Sequence, residues 1–261
     1  ICMLDIKEIE KYYPEQLRGF RRFILREYLQ YKILEIVFSG PHANKLIFLG
    51  GTCLRIVHGN QRFSEDLDFD NLDLSEKEFH EISAHISKEL EHMGYEAEIK
   101  PISRGAYHCF IRFPRLLFRQ GLSGYEEEKI LIQLDTEAQH FDFIAEKPIL
   151  NKFDVFTKIA VTPLSILMAQ KCYAILNRNR NKGRDFFDLV FLMGLQVRPE
   201  MRYIEQKLQI SSTADLKIKL LNKCNTLDMS AMADDVAPFL FNIGDMKKVS
   251  LFVEYLEGYT F

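Results

Sequence analysis

The sequence has little of several features that mark particular classes of protein. It contains no tryptophan, and its five cysteines include no Cys-x-x-Cys pair among 261 residues. An odd number of widely spaced cysteines predicts neither a zinc site nor a disulfide framework, and it is typical of a reducing compartment. No apolar run approaches the roughly 18 residues that a membrane helix needs, and residues 1–22 lack the apolar core of a signal peptide. We therefore expect a cytoplasmic protein.

The sequence also lacks a large excess of charge of either sign. There are 34 Lys and Arg residues against 37 Asp and Glu, for a formal net charge of −3. This balance argues against a uniformly basic nucleic-acid-binding surface, although it leaves room for a local basic patch. A content of 47% hydrophobic and 27% charged residues excludes disorder and collagen-like repeats. At about 150 residues per domain, the length fits one large domain or two modest ones.

The first half of the chain has the pattern of a mixed α/β domain. Apolar residues recur at helical spacing over 15–38, and Ser75 with Glu78 forms a capping box at the start of a helix over 75–93. Period-two alternation and apolar runs bounded by glycines indicate strands. The predicted strands are 45–49, 66–70, 95–102, 106–113 and 129–137, with a further helix over 53–58.

From about Thr162 the hydrophobic period is helical throughout. Candidate helix starts lie near Pro163, Arg184, Pro199, Thr213 and Gly244. Phe186 and Phe187 are predicted to fill a helical core, and residues 199–261 show no chemical motif. We therefore predict two domains of an α/β plus all-α protein, a mixed-sheet domain with N-terminal helices over 1–150 and a helical bundle over 151–261.

The strongest chemical signal is the stretch from Phe48 to Phe69. On a strand, alternate side chains share a face, so Asp66 and Asp68 point the same way. Two carboxylates held side by side repel each other, and a divalent cation removes that repulsion. Because such oxygen ligands are hard, the pair predicts Mg²⁺ or Mn²⁺.

The turn Gly50-Gly51-Thr52 stands before a predicted helix, where unpaired backbone N–H groups favour an anion and glycine lets a phosphate approach. Taken alone, the glycines could simply end a strand, Thr52 could cap a helix, and an acidic strand face could be solvated. The three features in this order and at short spacing favour a phosphoryl-transfer site.

These residues resemble the nucleotidyltransferase core of the DNA polymerase β superfamily, and more narrowly the AbiEii family, the toxins of type IV toxin–antitoxin systems with their MenT relatives. The first matching motif contains Gly50-Gly51-Thr52, Leu54-Arg55, Arg62 and Ser64-Glu65-Asp66-Leu67-Asp68-Phe69. A distal helical motif also matches in order, through Lys171, Ala174, Arg178, Arg184, Asp185 and Asp188-Leu189. The resemblance covers roughly residues 12–195.

The resemblance implies a third carboxylate on a later strand. Over 129–137, the alternation puts Gln133, Asp135 and Glu137 on one face. Asp135 ends a long apolar run and is our choice, whereas Glu137 is expected at a solvated edge. Asp66, Asp68 and Asp135 are then the predicted metal ligands.

The family further implies transfer of a nucleoside monophosphate from an NTP to an acceptor hydroxyl. Asp135 would help to deprotonate the attacking oxygen, and Gly50, Gly51 and Thr52 would seat phosphates. Lys171 would neutralise charge that builds on them, and Asp185 would orient the cations or meet the sugar. The remaining predicted nucleotide-binding residues are Arg62, Ser64, Arg178 and Arg184. The implied acceptor is an RNA, most simply tRNA, and the implied partner is an antitoxin protein; no membrane is involved.

Two other readings of the same residues stay open. An Asp-x-Asp strand also serves phosphohydrolases and nucleases, although a haloacid-type site needs a long apolar strand before the first aspartate, which is absent. The other alternative is a non-enzymatic interaction module, in which the acids bind a structural ion and the helical half docks a partner.

Overall fold

The structure is a computed structural model that describes residues 4–261. Cys2, one of the cysteines expected to be reduced, lies outside the described residues. The other four, Cys53, Cys109, Cys172 and Cys224, are free and buried. Burial raises the pKa of the Cys109 thiol to about 11, so this thiol is a protonated core group.

The chain divides into two compact units, each of which is made of two separate segments of the sequence. The first contains residues 1–53 and 63–161, and the second contains 54–62 and 162–261. The short segment 54–62 therefore belongs to the helical unit, although it lies in the sequence between the Gly-Gly-Thr turn and the Asp-x-Asp strand. Folding domains with bounds 1–150 and 151–261 stay a prediction.

The first unit is built on a five-stranded mixed sheet with the order β1-β2-β5-β4-β3. Strands β2 and β5 run parallel, and the other neighbours pair antiparallel. The five strands are β1 Leu46–Leu49, β2 Leu67–Asn71, β3 Glu98–Arg104, β4 Ala106–Phe113 and β5 Ile130–Glu137. All five were predicted, and β3 begins three residues later than its predicted start at Tyr95.

Two long helices of this unit cover one face of the sheet. The helices that begin in it are α1 Ile6–Glu10, α2 Arg21–Ser39, α3 Gly50–Ile56, α4 Glu76–His92 and α5 Leu116–Arg119. Phe38 of α2 packs against Phe69 of β2, and Phe79 of α4 stacks on Tyr107 of β4 at 5.1 Å between ring centroids. The predicted capping box of Ser75 and Glu78 is confirmed. The helix predicted over 53–58 begins earlier, at Gly50, because the turn itself is helical.

A two-stranded hairpin completes the first unit and was not predicted. It consists of β6 Ile149–Lys152 and β7 Val155–Lys158, which pair antiparallel. Its tip residue Phe153 packs edge-on against Tyr28 and Tyr31, with ring centroids 5.3 and 5.2 Å apart. These aromatic contacts attach the hairpin to α2.

The second unit is helical, as predicted. Its helices are α6 Leu164–Asn177, α7 Gly183–Gly194, α8 Met201–Leu208, α9 Thr213–Cys224, α10 Met229–Val236, α11 Lys247–Ser250 and α12 Phe252–Gly258. Phe186 and Phe187 are fully buried, which confirms their predicted core position. The predicted fold class, an α/β sheet region followed by helices, is confirmed. Between residues 4 and 261, no helix combines the length and the apolar character that a bilayer crossing requires.

Candidate active site

The parallel pairing of β2 with β5 brings two of the predicted carboxylates together. Asp68 lies directly opposite Asp135 in the register. Neighbouring strands are about 4.8 Å apart, and paired residues of parallel strands point to the same face. This face, which we call the polar face, is opposite the one covered by α2 and α4. Asp135 keeps 29% of its side chain exposed there, so the carboxylate pair is accessible.

Gly50 brings the backbone of the Gly-Gly-Thr turn against this pair. It adopts φ +81°, and a Cβ at this position would overlap Oδ2 of Asp68. A residue with a side chain would therefore be strained in its backbone and would displace the carboxylate. The close approach places the turn that sequence analysis assigned to phosphate next to the aspartate assigned to metal.

The residues just before β2 are held by side chains of the same unit. The Thr52 hydroxyl donates a hydrogen bond to the carbonyl of Asp66 and is fully buried. Gln30 of α2 donates to the carbonyls of Ser64 and Glu65, at 3.1 and 2.9 Å. These bonds fix the entry of the chain into β2, although Asp66 lies one residue before the paired register.

Asp135 is held by two side chains that the sequence motifs do not include. His108 Nδ1 lies 2.6 Å from Asp135 Oδ1. The amide of Gln133 donates to Oδ1 at 2.8 Å and to Oδ2 at 3.0 Å. Both groups lie on the polar face, His108 opposite Asp135 on β4 and Gln133 two positions earlier on β5.

The carboxylates of the polar face supply part of what a divalent metal needs. Among residues 4–261, no three or more His, Cys, Asp or Glu side chains are grouped closely enough to hold a metal ion. Asp68 and Asp135 nevertheless supply two hard carboxylates on adjacent strands. Mg²⁺ is commonly bound by one or two carboxylates together with substrate phosphates and water, rather than by a complete protein cage. The pair therefore fits a divalent cation whose remaining ligands are water or substrate phosphate, and Asp66 as a third ligand stays a prediction.

The distal motif forms a buried ionic network in the second unit. Asp188 is fully buried and accepts hydrogen bonds from Arg62 Nε and Nη2, both at 2.7 Å. Asn60 donates to the same carboxylate at 2.8 Å. Burial alone would raise the pKa of Asp188, but Arg62 and Lys171 outweigh it and hold that pKa below its ordinary value. The guanidinium of Arg62 is thus committed to Asp188, and its direct contact with nucleotide stays a prediction.

Lys171 lies between two carboxylates of α7. Its Nζ is 2.9 Å from Asp185 Oδ1 and 2.7 Å from Asp188 Oδ2. Burial disfavours the ammonium, but the two carboxylates more than compensate, so the pKa of Lys171 lies above its ordinary value. Lys171 is therefore a fixed positive charge rather than a proton donor near neutral pH.

The other predicted cations lie at the edge of this network. Arg178 pairs with Asp185 Oδ2 at 3.0 Å and keeps 41% of its side chain exposed. Arg184 lies over the ring of Phe239, 4.5 Å from its centroid. The second unit therefore brings together Lys171 and Arg178, which were predicted to bind nucleotide, and Asp185, which was predicted to orient the cations or meet the sugar.

Comparison with protein families decides the assignment. Residues 32–245 match the model of the nucleotidyl transferase AbiEii toxin family of type IV toxin–antitoxin systems. The chain belongs to the AbiEii family. It is therefore a nucleotidyltransferase, and the family resemblance inferred from the two motifs is confirmed.

Two solved structures from Helicobacter pylori share the AbiEii fold of this chain. JHP933 aligns with a TM-score of 0.54 over 90% of both chains, at 17% identity. A protein provisionally described as a nucleotidyltransferase aligns with a TM-score of 0.52 over 94% of both chains, also at 17% identity. At this identity the likeness shows the fold alone. No curated protein matches the sequence at a significant level.

Several residues that contact Asp135 or Asp188 lie outside the two AbiEii sequence motifs. Period-two alternation places Gln133 on the face of Asp135, but gives it no role there. His108 is identified only by strand register, which pairs it with Asp135, because no sequence signal fixes β4 next to β5. Asn60 is likewise a partner of Asp188 from 128 positions away.

Proposed function

We propose that this AbiEii nucleotidyltransferase moves a nucleoside monophosphate from an NTP to a hydroxyl of an RNA, most simply tRNA, with Mg²⁺ or Mn²⁺ as the cofactor. The observation that carries the metal-dependent chemistry is the register pair of Asp68 and Asp135 beside Gly50. Two accessible carboxylates and a backbone that can approach a phosphate meet at one point of one sheet. This is the chemistry that phosphoryl transfer requires.

The carboxylates have distinct roles in the proposed reaction. Asp68 and Asp135, with Asp66 before them, would hold the divalent cation, which when bound offsets negative charge on the phosphates and makes the attacking hydroxyl more acidic. Asp135 is the carboxylate we assign to the proton of that hydroxyl. Gly50, Gly51, Thr52 and Ser64 would line the phosphate side, where the missing Cβ of Gly50 leaves room.

The cations of the second unit keep the nucleotide-binding role that the family implies. Lys171 carries a permanent charge, as its pKa direction requires, and Arg178 and Arg184 extend the basic character outward. Charge neutralisation supplies much of the catalysis of phosphoryl transfer. Asp185 would orient Lys171, and Arg62 would act by holding Asp188, the other carboxylate partner of Lys171.

An RNA acceptor is supported by the composition of the polar face. Phe110 lies on β4 two residues from His108, the partner of Asp135, which is about 7 Å along the strand. The guanidinium of Arg112 lies 5.4 Å from the centroid of the Phe110 ring. Lys100 is exposed next to Phe110 on β3. Aromatic and arginine planes stack on unpaired bases, and lysine attracts the backbone phosphates.

The partnership with an antitoxin follows from the family and is part of the proposal, as is the cytoplasmic location that the sequence predicts. A growth arrest on expression, relieved by the protein of a neighbouring gene, would support the first.

The deciding experiment incubates the protein with Mg²⁺, each α-labelled NTP and total tRNA. We expect label in RNA and release of pyrophosphate, and a loss of about 100-fold or more for Asp68→Ala and Asp135→Ala, because either change removes a ligand of the cation, whereas loss of a group that only orients a ligand costs about 10- to 100-fold. Asp142→Ala, at an exposed loop acid of the same unit, is the matched control and should stay active.

The products separate the alternatives. Free phosphate or RNA fragments in place of pyrophosphate would support a phosphohydrolase or nuclease. A lack of turnover with any nucleotide, together with unchanged behaviour of Asp68→Ala, would overturn the proposal and favour an interaction module.

A further inference from the structure

The carboxylate of Asp135 is restrained far more than an exposed strand aspartate needs to be. It accepts three hydrogen bonds from His108 and Gln133, at 2.6, 2.8 and 3.0 Å. A carboxylate offers about four acceptor positions, so most of its capacity is committed to these two side chains. The arrangement leaves the group little freedom to rotate.

The direction of the hydrogen bonds follows from the chemistry of the groups. An ionised carboxylate can only accept, so Nδ1 of His108 carries the hydrogen and donates it to Oδ1 of Asp135. The amide of Gln133 donates to both oxygens and sets the plane of the carboxylate. Two donors on two strands therefore define both the position and the tilt of the Asp135 side chain.

The arrangement is not needed to satisfy a deeply buried group. His108 keeps 34% and Asp135 29% of its side chain exposed, and a hydrogen bond between partly exposed side chains makes a small net contribution to the free energy of unfolding. What the three groups do achieve is a fixed carboxylate opposite Asp68, its register partner.

We propose that His108 and Gln133 are positioning residues that hold the Asp135 carboxylate in the orientation in which it shares a divalent cation with Asp68. This inference rests on the proposed function, because it takes Asp68 and Asp135 as the metal-binding pair. Groups that hydrogen-bond to a metal ligand orient it, and their loss weakens metal binding or activity by about 10- to 100-fold. A site whose supporting side chains are missing is present but loose.

The test measures binding of Mn²⁺ alone to the full chain, by electron paramagnetic resonance of the free ion, independently of turnover. We expect His108→Ala and Gln133→Leu each to weaken Mn²⁺ binding by about 10-fold. His108→Asn should restore most of the affinity, because the asparagine amide can donate from nearly the place of Nδ1. The matched control is His80→Ala, because His80 is an exposed histidine of α4 that lies off the polar face. This variant should bind Mn²⁺ like the wild type.

A transfer assay across a Mn²⁺ series supplies the second readout. If positioning is the role, the half-saturating Mn²⁺ concentration rises in His108→Ala while kcat at saturating Mn²⁺ falls much less. A purely structural role would instead lower the urea midpoint and leave the half-saturating Mn²⁺ concentration of the folded protein unchanged. Urea unfolding of each variant, together with the Mn²⁺ series, identifies that case, which would overturn the inference.

The outcomes also separate this inference from the proposed function. If Asp68→Ala and Asp135→Ala abolish Mn²⁺ binding while His108→Ala and Gln133→Leu bind like the wild type, the inference is wrong and the proposed carboxylate pair stands. If the wild type and both aspartate variants bind Mn²⁺ equally, or not at all, the metal-binding pair itself fails and the inference fails with it.

Discussion

At Gly50 the conformation of one residue controls the position of a carboxylate. Its φ of +81° favours glycine, and a Cβ would overlap Asp68 Oδ2. Gly105, in the turn between β3 and β4, shares the conformation at φ +78° but has no atom within 4 Å of its would-be Cβ. A substitution at either glycine strains the backbone, but only one at Gly50 also displaces Asp68. Comparing the two substitutions therefore distinguishes these effects.

Gly50→Ala is expected to lower nucleotidyl transfer by about 100-fold, because Asp68 must move. Gly105→Ala carries a comparable backbone strain of about 1 kcal/mol and should keep its activity. The measurements are the urea midpoint and the rate of label transfer for both variants. Equal loss of activity in the two variants would show that strain, and not the contact with Asp68, is what matters.

Single residues also show where sequence reasoning succeeds and where it stops. Asp68 and Asp135 could be placed on one strand face each from alternation alone, because side chains repeat with period two. Their adjacency depends on the parallel pairing of β2 with β5, and the 58 residues between Asn71 and Ile130 carry no signal for its register. His108 joins the site through the same kind of long-range pairing, so only a three-dimensional structure could identify it.

At the level of elements, an ion pair links α4 to the residue just before β1. Lys45 Nζ donates to both oxygens of Glu78, at 2.7 and 2.8 Å, and Glu78 also closes the capping box with Ser75. Hydrogen bonding to Lys45, followed by that to Ser75, lowers the pKa of Glu78 to about 2. A carboxyl whose pKa is depressed on folding stabilises the native state above its ordinary pKa of 4.5 and loses that contribution as the pH falls towards 2.

Glu78→Gln should therefore lower the urea midpoint near neutral pH and change it little at about pH 2, where about half of the wild-type carboxyl groups are also protonated. The difference between the two proteins is expected to shrink between these limits. Glu81→Gln, at another carboxylate of the same helix, provides the comparison for a general change of charge. A difference that stays constant with pH would contradict the link to Glu78.

The β6–β7 hairpin was missed because its turn carries none of the usual signals. Two-residue hairpin turns favour Asn-Gly or Asp-Gly, since their residues need positive φ. Here Phe153 takes the position at φ +59°, although a bulky residue is disfavoured there. Its contacts with Tyr12, Tyr28 and Tyr31 explain why the chain tolerates this conformation. Tertiary packing therefore decides an element that local sequence does not predict.

Phe153→Ala should destabilise the protein by about 2 kcal/mol, less than a fully buried Phe→Ala change because Phe153 is only partly buried. Phe156 lies in the same hairpin and is 70% exposed. Phe156→Ala should therefore change the free energy of unfolding by less than about 0.5 kcal/mol. Urea denaturation of both variants tests the pair. Similar losses would mean that the hairpin, rather than the aromatic contacts of its tip, sets the stability.

At the scale of the whole molecule, the change of hydrophobic period near residue 162 was visible in the sequence, and the second unit resumes at Thr162. The inclusion of residues 54–62 in that unit was not visible. The segment carries Arg62 and Asn60, whose partner Asp188 lies in α7. A motif residue close to the Asp-x-Asp strand in sequence thus serves the helical unit, which local spacing cannot reveal.

This interleaving predicts how the chain responds to being cut. A fragment of residues 162–261 lacks Arg62 and Asn60, so buried Asp188 keeps only Lys171 of its three partners described above. Losing a partner of a buried charge costs about 3 kcal/mol or more, and the fragment should unfold at a much lower urea concentration than the same helices in the intact chain.

Asp188→Asn should cost about 3 kcal/mol in the intact chain and clearly less in the fragment, where two partners are already gone. Asp234→Asn, at an exposed acid of α10, should be nearly silent in both. If the fragment unfolds cooperatively at the midpoint of the intact chain, and Asp188→Asn costs the same in both, then 54–62 does not stabilise the helical unit, and a single domain boundary near residue 150 describes the protein better.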